Sequence, residues 1–243
     1  MGASKFIVPV LAAILAALVA TYMSGFILTS PLDSSSSPSG PVILTSKRSM
    51  KLDGLAFPTD MKIAGSMQSL IGGGSRSKWG FRVYAVGIYG DSKLLKSLKK
   101  KYYVGKHSNS LDADASSRLA YEFSHSEQAR TLLLRFHRQV PASDMAEALG
   151  EALIDKIGKE QSDTFASFIL GIVGRKGDVI KKGTDLYITC KGGKLRVSMG
   201  EGKDVDKINM KGLCPSVFRV YLGEKPVSPQ AKEGFEKGFD SIV

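Results

Sequence analysis

Apolar residues change their spacing several times along the chain, which predicts a domain that mixes strands and helices. Strand-like patterns begin at Pro41 and continue, with glycine interruptions, to Gly90. A further strand is predicted over Thr131–Val140. Asp185–Cys190 and Lys194–Met199 flank a Lys-Gly-Gly turn, an arrangement typical of a tight β-hairpin.

Six stretches carry apolar residues at the spacing of one helical face. They are Ser92–Tyr102, Asp112–Arg130, a helix opened by Asp144, Asp163–Val173, Leu213–Leu222 and Pro229–Ser241. Asp144 with Glu147 has the spacing of a capping box, and Ser228 is predicted as the N-cap of the last helix. The order of elements lacks the regular strand-helix alternation of a doubly wound sheet. It therefore predicts an α+β fold with an antiparallel sheet.

The first part of the chain differs in composition from the rest. Phe6–Leu28 is apolar and uncharged, so residues 1–28 are predicted to be a signal peptide or a signal-anchor helix. Residues 29–40 are rich in serine and proline and are predicted to be a linker or a second targeting segment. The folded domain is predicted over residues 41–243. We expect transport into the secretory pathway or membrane anchoring, and the leader also resembles the two-part presequence of algae with complex plastids, which leaves a plastid destination open.

The formal net charge of +11 suits an anionic partner such as a membrane surface, a small anion or nucleic acid. Nucleic acid is not expected, because Trp79, Phe81 and Tyr84 do not alternate on one face of a strand as stacking rings would. The two cysteines, Cys190 and Cys214, leave a single disulfide open. The three histidines lack ligand spacing, so we expect neither a metal site nor a cofactor.

The stretch Gly72–Gly90, GGGSRSKWGFRVYAVGIYG, joins a glycine run to a long strand-like segment. A Walker loop would need Gly-Lys-Ser/Thr and a following helix, whereas Gly74 is followed by Ser-Arg-Ser-Lys and a strand. No second glycine completes a GxGxxG motif, and neither a G-x-S-x-G elbow nor a cysteine signature marks a nucleophile. No catalytic residue is therefore predicted.

This stretch, together with FRVYLGEKPVSP at Phe218–Pro229, resembles the chalcone isomerase fold family, in particular its non-catalytic fatty-acid-binding branch. The resemblance extends from about Leu55 to the end of the chain. It implies an α+β domain in which helices are layered on one face of an antiparallel sheet, as an open-faced sandwich.

The resemblance also implies roles for individual residues. True isomerases hold their substrate with an arginine before the strand, a strand threonine, a helical tyrosine and asparagine, and a late hydroxyl. The arginine corresponds to Arg76, but the threonine falls on Tyr84 and the late hydroxyl on Ala231, and the helix after Pro141 contains neither tyrosine nor asparagine up to Gly158. These departures argue against cyclisation activity. In the fatty-acid-binding branch an arginine and the tyrosine of the V-Y-A strand hold the ligand's carboxylate, and both match, as Arg76 and Tyr84.

The chemistry of that pair suits an anionic amphiphile. A guanidinium binds a carboxylate through two parallel hydrogen bonds and stays charged, and a phenol supplies a third donor. Val83, Val86 and Ile88 are predicted to line an apolar cleft beside Arg76 and Tyr84. Burying an acyl chain there would gain ~0.8 kcal/mol per methylene.

Geometry constrains the pair. Arg76 and Tyr84 are eight residues apart, which is ~26 Å in a continuous strand at ~3.3 Å per residue. One carboxylate can contact both only if the chain doubles back, so a turn over residues 78–80 is predicted, with the two side chains as diagonal neighbours on one face of a hairpin. Arg82 faces the same way as Tyr84 by alternation and is a second candidate for the carboxylate.

Three functions remain as hypotheses. The first is a non-enzymatic carrier or sensor of free fatty acids that supports lipid metabolism or storage. The second is a lyase-type isomerase of a phenolic substrate with Arg76 as electrostatic stabiliser. The third is a domain tethered by an uncleaved N-terminal segment that binds partners but no small ligand. An elongated apolar pocket that ends at Arg76 would favour the fatty-acid carrier. A short, wide pocket with a second hydroxyl across from Arg76 would favour the isomerase, and absence of a pocket would favour the tethered domain.

Overall fold

The computed structural model describes residues 43–103, 111–200 and 205–241. The strands in these ranges are β1 (Leu44–Thr45), β2 (Ser49–Leu52), β3 (Leu55–Pro58), β4 (Asp60–Ile63), β5 (Ser66–Lys78), β6 (Phe81–Asp91), β7 (Arg130–Phe136), β8 (Val140–Pro141), β9 (Val179–Ile180), β10 (Asp185–Lys191), β11 (Lys194–Met199) and β12 (Val205–Ile208). Eight of them form one sheet in the order β1-β4-β5-β6-β7-β10-β11-β12, and every pairing in it is antiparallel.

The helices in the described ranges are α1 (Ser92–Tyr102), α2 (Ala113–His125), α3 (Ala142–Glu151), α4 (Ile154–Ile157), α5 (Lys159–Val173), α6 (Leu213–Leu222) and α7 (Pro229–Ser241). A short 3₁₀ turn, Gly174–Lys176, follows α5. The first, sixth and seventh helices have the predicted bounds. Ser228 caps α7 as predicted, because its hydroxyl accepts the Ala231 N–H at 3.2 Å.

The two faces of the sheet have different cover. Tyr84, Val86 and Ile88 of β6 point into a large core that the helices close. Ala85 and Tyr89, on the opposite face of β6, belong to a smaller core, which includes Leu52 and Phe57 of the β2–β3 hairpin. Helices are therefore layered on one face, and a small hairpin covers part of the other. The predicted α+β fold with an antiparallel sheet is confirmed.

The glycine run is the part of β5 on which helix α7 lies. A Cβ added to Gly72 would be 1.9 Å from the Gly234 carbonyl oxygen, and one added to Gly234 would be 2.0 Å from the Gly73 oxygen. No side chain fits between the two backbones at this distance. The glycines therefore allow a helix and a strand to touch directly, and they do not form a loop around a phosphate.

Several predicted boundaries are wrong. The helix predicted from Asp163 begins at Lys159, and the strand predicted to reach Val140 ends at Phe136. Two other boundaries are wrong for identifiable reasons. The helix predicted to reach Arg130 ends at His125, because Arg130 is buried in β7 and donates from Nη1 to the Phe123 carbonyl at 2.7 Å. The capping box at Asp144 is also wrong. Helix α3 begins at Ala142 with Pro141 at the N-cap position, three residues before Asp144. Asp144 therefore lies in the first turn, where a negative charge interacts favourably with the helix dipole.

A disulfide between Cys190 and Cys214 joins β10 to the first turn of α6 across the core. The sequence left this bridge open, and the fold places the two Cα atoms 5.8 Å apart. The predicted signal or anchor segment, 1–28, and the predicted linker, 29–40, lie outside the described residues. Within the described ranges, no helix is both long and apolar enough to cross a bilayer.

Candidate functional site

The hairpin of β5 and β6 turns at Trp79 and Gly80, so the turn predicted over residues 78–80 is confirmed. Its last pair is Lys78 with Phe81, and both turn residues have positive φ, 52° and 79°. Two positive φ values in a two-residue loop define a type I′ turn, whose twist matches that of the strands. Arg76 and Tyr84 lie on the same face, as predicted, but they are directly opposite each other in the ladder and not diagonal neighbours.

The outer end of this hairpin contains a β-bulge at Val83. Pairing moves from Arg76 with Tyr84 to Ser77 with Arg82, which leaves Val83 without a partner in β5. The bulge reverses the alternation of side chains beyond it. Val83 therefore joins Tyr84 on the helix-covered face, and the prediction that Arg82 faces the same way as Tyr84 is wrong.

Arg82 and His137 interact on the other face of the hairpin. His137 Nε2 lies 3.1 Å from the hydroxyl of Ser75, the residue before Arg76. Burial lowers the pKa of His137, and the charges of Arg82 and Lys182 lower it further, while Asp53 opposes them. Arg82 is thus placed where it does not share a ligand with Tyr84.

Tyr221, which the sequence reasoning missed as a functional residue, lies next to Tyr84. Its hydroxyl reaches down from α6 to 2.8 Å from the Tyr84 hydroxyl, and both side chains are buried. Burial raises the pKa of each tyrosine, and the charge of Arg76 opposes that rise at both. Both phenols therefore remain protonated near neutral pH. The Arg76 guanidinium is close enough to interact electrostatically with both of them. The only signal in the sequence is the tyrosine of the FRVYLG segment.

Arg76 is half-buried at the edge of this tyrosine pair. Its Nη1 donates to the carbonyl of Val227, in the segment between α6 and α7. The same segment is fixed to β5 by Ser228, whose hydroxyl donates to the Ser75 carbonyl at 2.7 Å. None of the ion pairs between described residues involves Arg76. Its guanidinium is therefore positioned by backbone and not neutralised by a carboxylate.

Arg76, Tyr84 and Tyr221 line a cavity of about 750 Å³ between the hairpin and the helices. Its further walls are Lys78, Trp79, Phe81, Val83, Arg138, Gln139, Val140, Pro141, Asp144, Met145, Ala148, Leu149, Glu151, Ala152, Val220 and Val227. Of the predicted cleft residues, Val83 lines the cavity. Val86 and Ile88 lie deeper along β6 on the same face, fully buried in the core and outside this lining.

The side chains that an isomerase would need differ here. Ala231 is completely buried in α7 and carries no hydroxyl. The α3 wall of the cavity presents Met145, Ala148 and Leu149, with Asp144 and Glu151 at its two ends. Within the described residues no group of histidine, cysteine, aspartate or glutamate side chains is arranged to hold a metal ion. The site thus combines the Arg76 guanidinium and two phenols with an apolar wall, and the charged side chains of Lys78, Arg138, Asp144 and Glu151 also line the cavity.

Comparison with known proteins gives two informative likenesses, although no family model matches the chain. The chain is 26% identical over 201 residues to chalcone isomerase-like protein 1 of Humulus lupulus. The aligned region covers 78% of this chain and 89% of that protein. The structure also resembles the crystal structure of a fatty-acid binding protein from Arabidopsis thaliana, with a TM-score of 0.62 and 24% identity, over 80% of this chain and 98% of that one. These likenesses confirm the resemblance inferred from Gly72–Gly90 and Phe218–Pro229.

Proposed function

We propose that this protein, which has the chalcone isomerase-like fold, binds free fatty acids without transforming them. The observation that carries the proposal is the cavity in which Arg76, without a carboxylate partner among the described residues, stands beside the hydroxyls of Tyr84 and Tyr221. The ligand's carboxylate would lie against these three side chains and its acyl chain along the apolar wall.

Arg76 has donors left for a carboxylate. A guanidinium carries five N–H groups, and the Val227 carbonyl accepts from Nη1 alone. A carboxylate placed against the remaining N–H groups would form charge-assisted hydrogen bonds, which are about twice as strong as neutral ones. The bond to Val227 would meanwhile hold the arginine in place, so little side-chain entropy is lost when the ligand binds.

The tyrosine pair supplies one further donor whichever way its internal bond runs. One hydroxyl donates to the other, and the accepting hydroxyl keeps its own proton. Burial raises the pKa of both Tyr84 and Tyr221, so that proton is present at neutral pH. The pair can therefore donate to an anion without breaking the bond between β6 and α6.

The apolar part of the remaining wall suits an acyl chain. Val83, Met145, Leu149 and Val220 offer apolar surface, and each buried methylene would contribute ~0.8 kcal/mol before ordering costs are subtracted. A volume of about 750 Å³ is within the range of ~300–1,000 Å³ that is usual for small-molecule pockets. The Arabidopsis thaliana protein of the same fold is named for fatty-acid binding, which agrees with this class of ligand. We extend the proposal to a role in lipid metabolism or storage.

The test compares two arginine variants of the full chain in a mild detergent. Native mass spectrometry and lipid extraction would identify the bound ligand, and titration with palmitate would give its affinity. Arg76→Gln should weaken binding about tenfold to a hundredfold, the loss expected for hydrogen bonds to a charged group. Arg219→Gln makes the same change on the exposed side of α6, two residues before Tyr221, and should leave affinity unchanged.

Equal fatty-acid content in wild type and Arg76→Gln would remove Arg76 from the site. Thermal unfolding of both variants is the control for stability, since Arg76 also holds the segment at Val227. Turnover of a chalcone by the wild-type chain would support the isomerase hypothesis instead. If the correctly folded protein contained no lipid ligand, the result would support the hypothesis of a tethered interaction domain.

A further inference from the structure

The tip of the β5–β6 hairpin, Lys78–Arg82, carries two aromatic rings that the fold does not use. Trp79 is 85% exposed and Phe81 is 63% exposed, and they are the two most exposed large hydrophobic side chains among the described residues. A cation lies over the face of each ring. Lys78 Nζ is 4.8 Å from the centre of the Trp79 ring, and the Arg138 guanidinium is 5.4 Å from that of Phe81.

The backbone makes Trp79 more unusual. Its φ of 52° is a left-handed conformation, which asparagine and glycine adopt readily and a bulky side chain does not. The tryptophan thus costs folding free energy at a position where its ring gains almost no burial. A strained residue that the surrounding fold does not reward is characteristic of a functional position.

The charges beside the two rings are positive, which favours an anionic surface as the binding partner of the tip. Lys78 and Arg82 flank them within the tip, which contains no carboxylate, and Arg138 lies against Phe81. The two acidic residues that line the cavity, Asp144 and Glu151, belong to α3 and not to the hairpin. Exposed tryptophan and phenylalanine between lysine and arginine suit the interface of an anionic bilayer, where the rings enter the headgroup region and the cations meet the lipid charge.

We propose that the Lys78–Arg82 tip docks on the surface of an anionic lipid bilayer, with Trp79 and Phe81 in the headgroup region. Lys78, Trp79 and Phe81 also line the cavity, so docking brings the mouth of the cavity against the membrane. Docking itself is independent of the function proposed above. Its consequence, that a fatty acid passes between bilayer and cavity without crossing water, rests on that function.

The chain contains a single tryptophan, so its fluorescence reports on the tip alone, whatever the N-terminal apolar segment does. The full chain would be reconstituted into vesicles of phosphatidylcholine with or without ~30% phosphatidylglycerol, a proportion chosen to give a clearly negative surface. With the anionic lipid, Trp79 emission should shift to the blue, acrylamide in the water should quench it less, and brominated acyl chains should quench it more. With phosphatidylcholine alone these changes should be weaker.

Paired charge variants test the electrostatic part. Lys78→Gln with Arg82→Gln should weaken the membrane signal of Trp79 by about fivefold for each cation removed. Lys96→Gln with Lys100→Gln removes the same charge from the exposed face of α1 and should leave the signal at its wild-type level. Equal loss in both pairs would mean that only net charge matters, and would overturn docking by the tip.

Two further results would also overturn the proposal. One is a Trp79 that stays as accessible to acrylamide in anionic vesicles as it is in detergent. The other is a blue shift that depends on protein concentration and not on lipid, which would mean that a second copy of the chain covers the tip. Arg76→Gln separates the two hypotheses, because it should lose palmitate and still show the Trp79 shift. Palmitate binding with a water-exposed Trp79 would refute docking alone, and docking without palmitate binding would refute the proposed function alone.

Discussion

Replacing Tyr221 with phenylalanine removes one hydroxyl of the buried pair and leaves the Tyr84 hydroxyl without its protein partner. A buried hydroxyl that loses its partner costs ~1–3 kcal/mol. Both tyrosines line the cavity, where water can reach the orphaned group, so we expect the lower end, about 1 kcal/mol. The mirror variant, Tyr84→Phe, should cost about the same, since the two hydroxyls are equivalent partners.

The double variant distinguishes a bond between the hydroxyls from two independent contributions. Tyr84→Phe with Tyr221→Phe leaves two apolar rings of unchanged shape, and replacing both partners of a buried hydrogen bond is close to neutral. The double variant should therefore lose about 1–2 kcal/mol less than the sum of the single variants. Because burial raises the pKa of both phenols, ionisation of unfolded tyrosine above about pH 10 should lower the stability of wild type relative to the double variant. That unfolded-state contribution is the same for each tyrosine and cancels in the cycle, so the difference itself should stay constant through about pH 10.

The measurement is thermal or urea unfolding of the four purified proteins under one condition. A loss of 1 kcal/mol corresponds to about 2–4 °C in the midpoint for a domain of this size. If the losses of the single variants add up in the double variant, the two hydroxyls are not coupled and the site loses its internal donor pair. Palmitate affinity measured on the same proteins would then show whether the phenols bind the ligand, because the double variant keeps the fold and lacks both donors.

Two further predictions concern the hairpin and the helix that lies on it. Trp79→Asn should raise stability by about 1 kcal/mol in thermal unfolding, because asparagine tolerates the left-handed turn position; a lower midpoint would contradict the strain at Trp79. Gly234→Ala should lower stability by about 1–3 kcal/mol, because its methyl group would meet the Gly73 carbonyl. Gly171→Ala, on the exposed face of α5 with open space around it, should instead raise stability by up to about 1 kcal/mol, and a loss at both positions would mean that the glycine contact is not special.

The hairpin could be predicted from sequence because the hypothesis that Arg76 and Tyr84 bind one carboxylate requires the chain to double back. Arg76 and Tyr84 cannot share a ligand along one extended strand, and Trp79-Gly80 is where the chain turns. The bulge at Val83 could not be predicted, because register depends on how the partner strand pairs and not on the residues of β6 alone. That shift put Val83 on the cavity side and turned Arg82 away from it.

The role of Tyr221 in the cavity is a second feature that could not be predicted from the sequence. Its apolar neighbours on α6 predict a buried residue, and burial was all that the helical pattern could indicate. What makes it part of the site is a hydroxyl contact with a residue 137 positions earlier in the chain. Likewise, Val86 and Ile88 share the face of Tyr84 as predicted, but only the depth of the helices over the sheet determines which residues of that face reach the cavity.

Helix α6 is fastened at both ends. Cys214 in its first turn is covalently bound to β10, and Tyr221 near its last is hydrogen-bonded to β6. The facing wall, α3, packs on α5 through small side chains, where Gly150 lies against Ala166. Van der Waals contacts of this kind slide more easily than a disulfide or a buried hydrogen bond breaks. We therefore expect α3, and not α6, to move when a longer or thicker ligand enlarges the cavity.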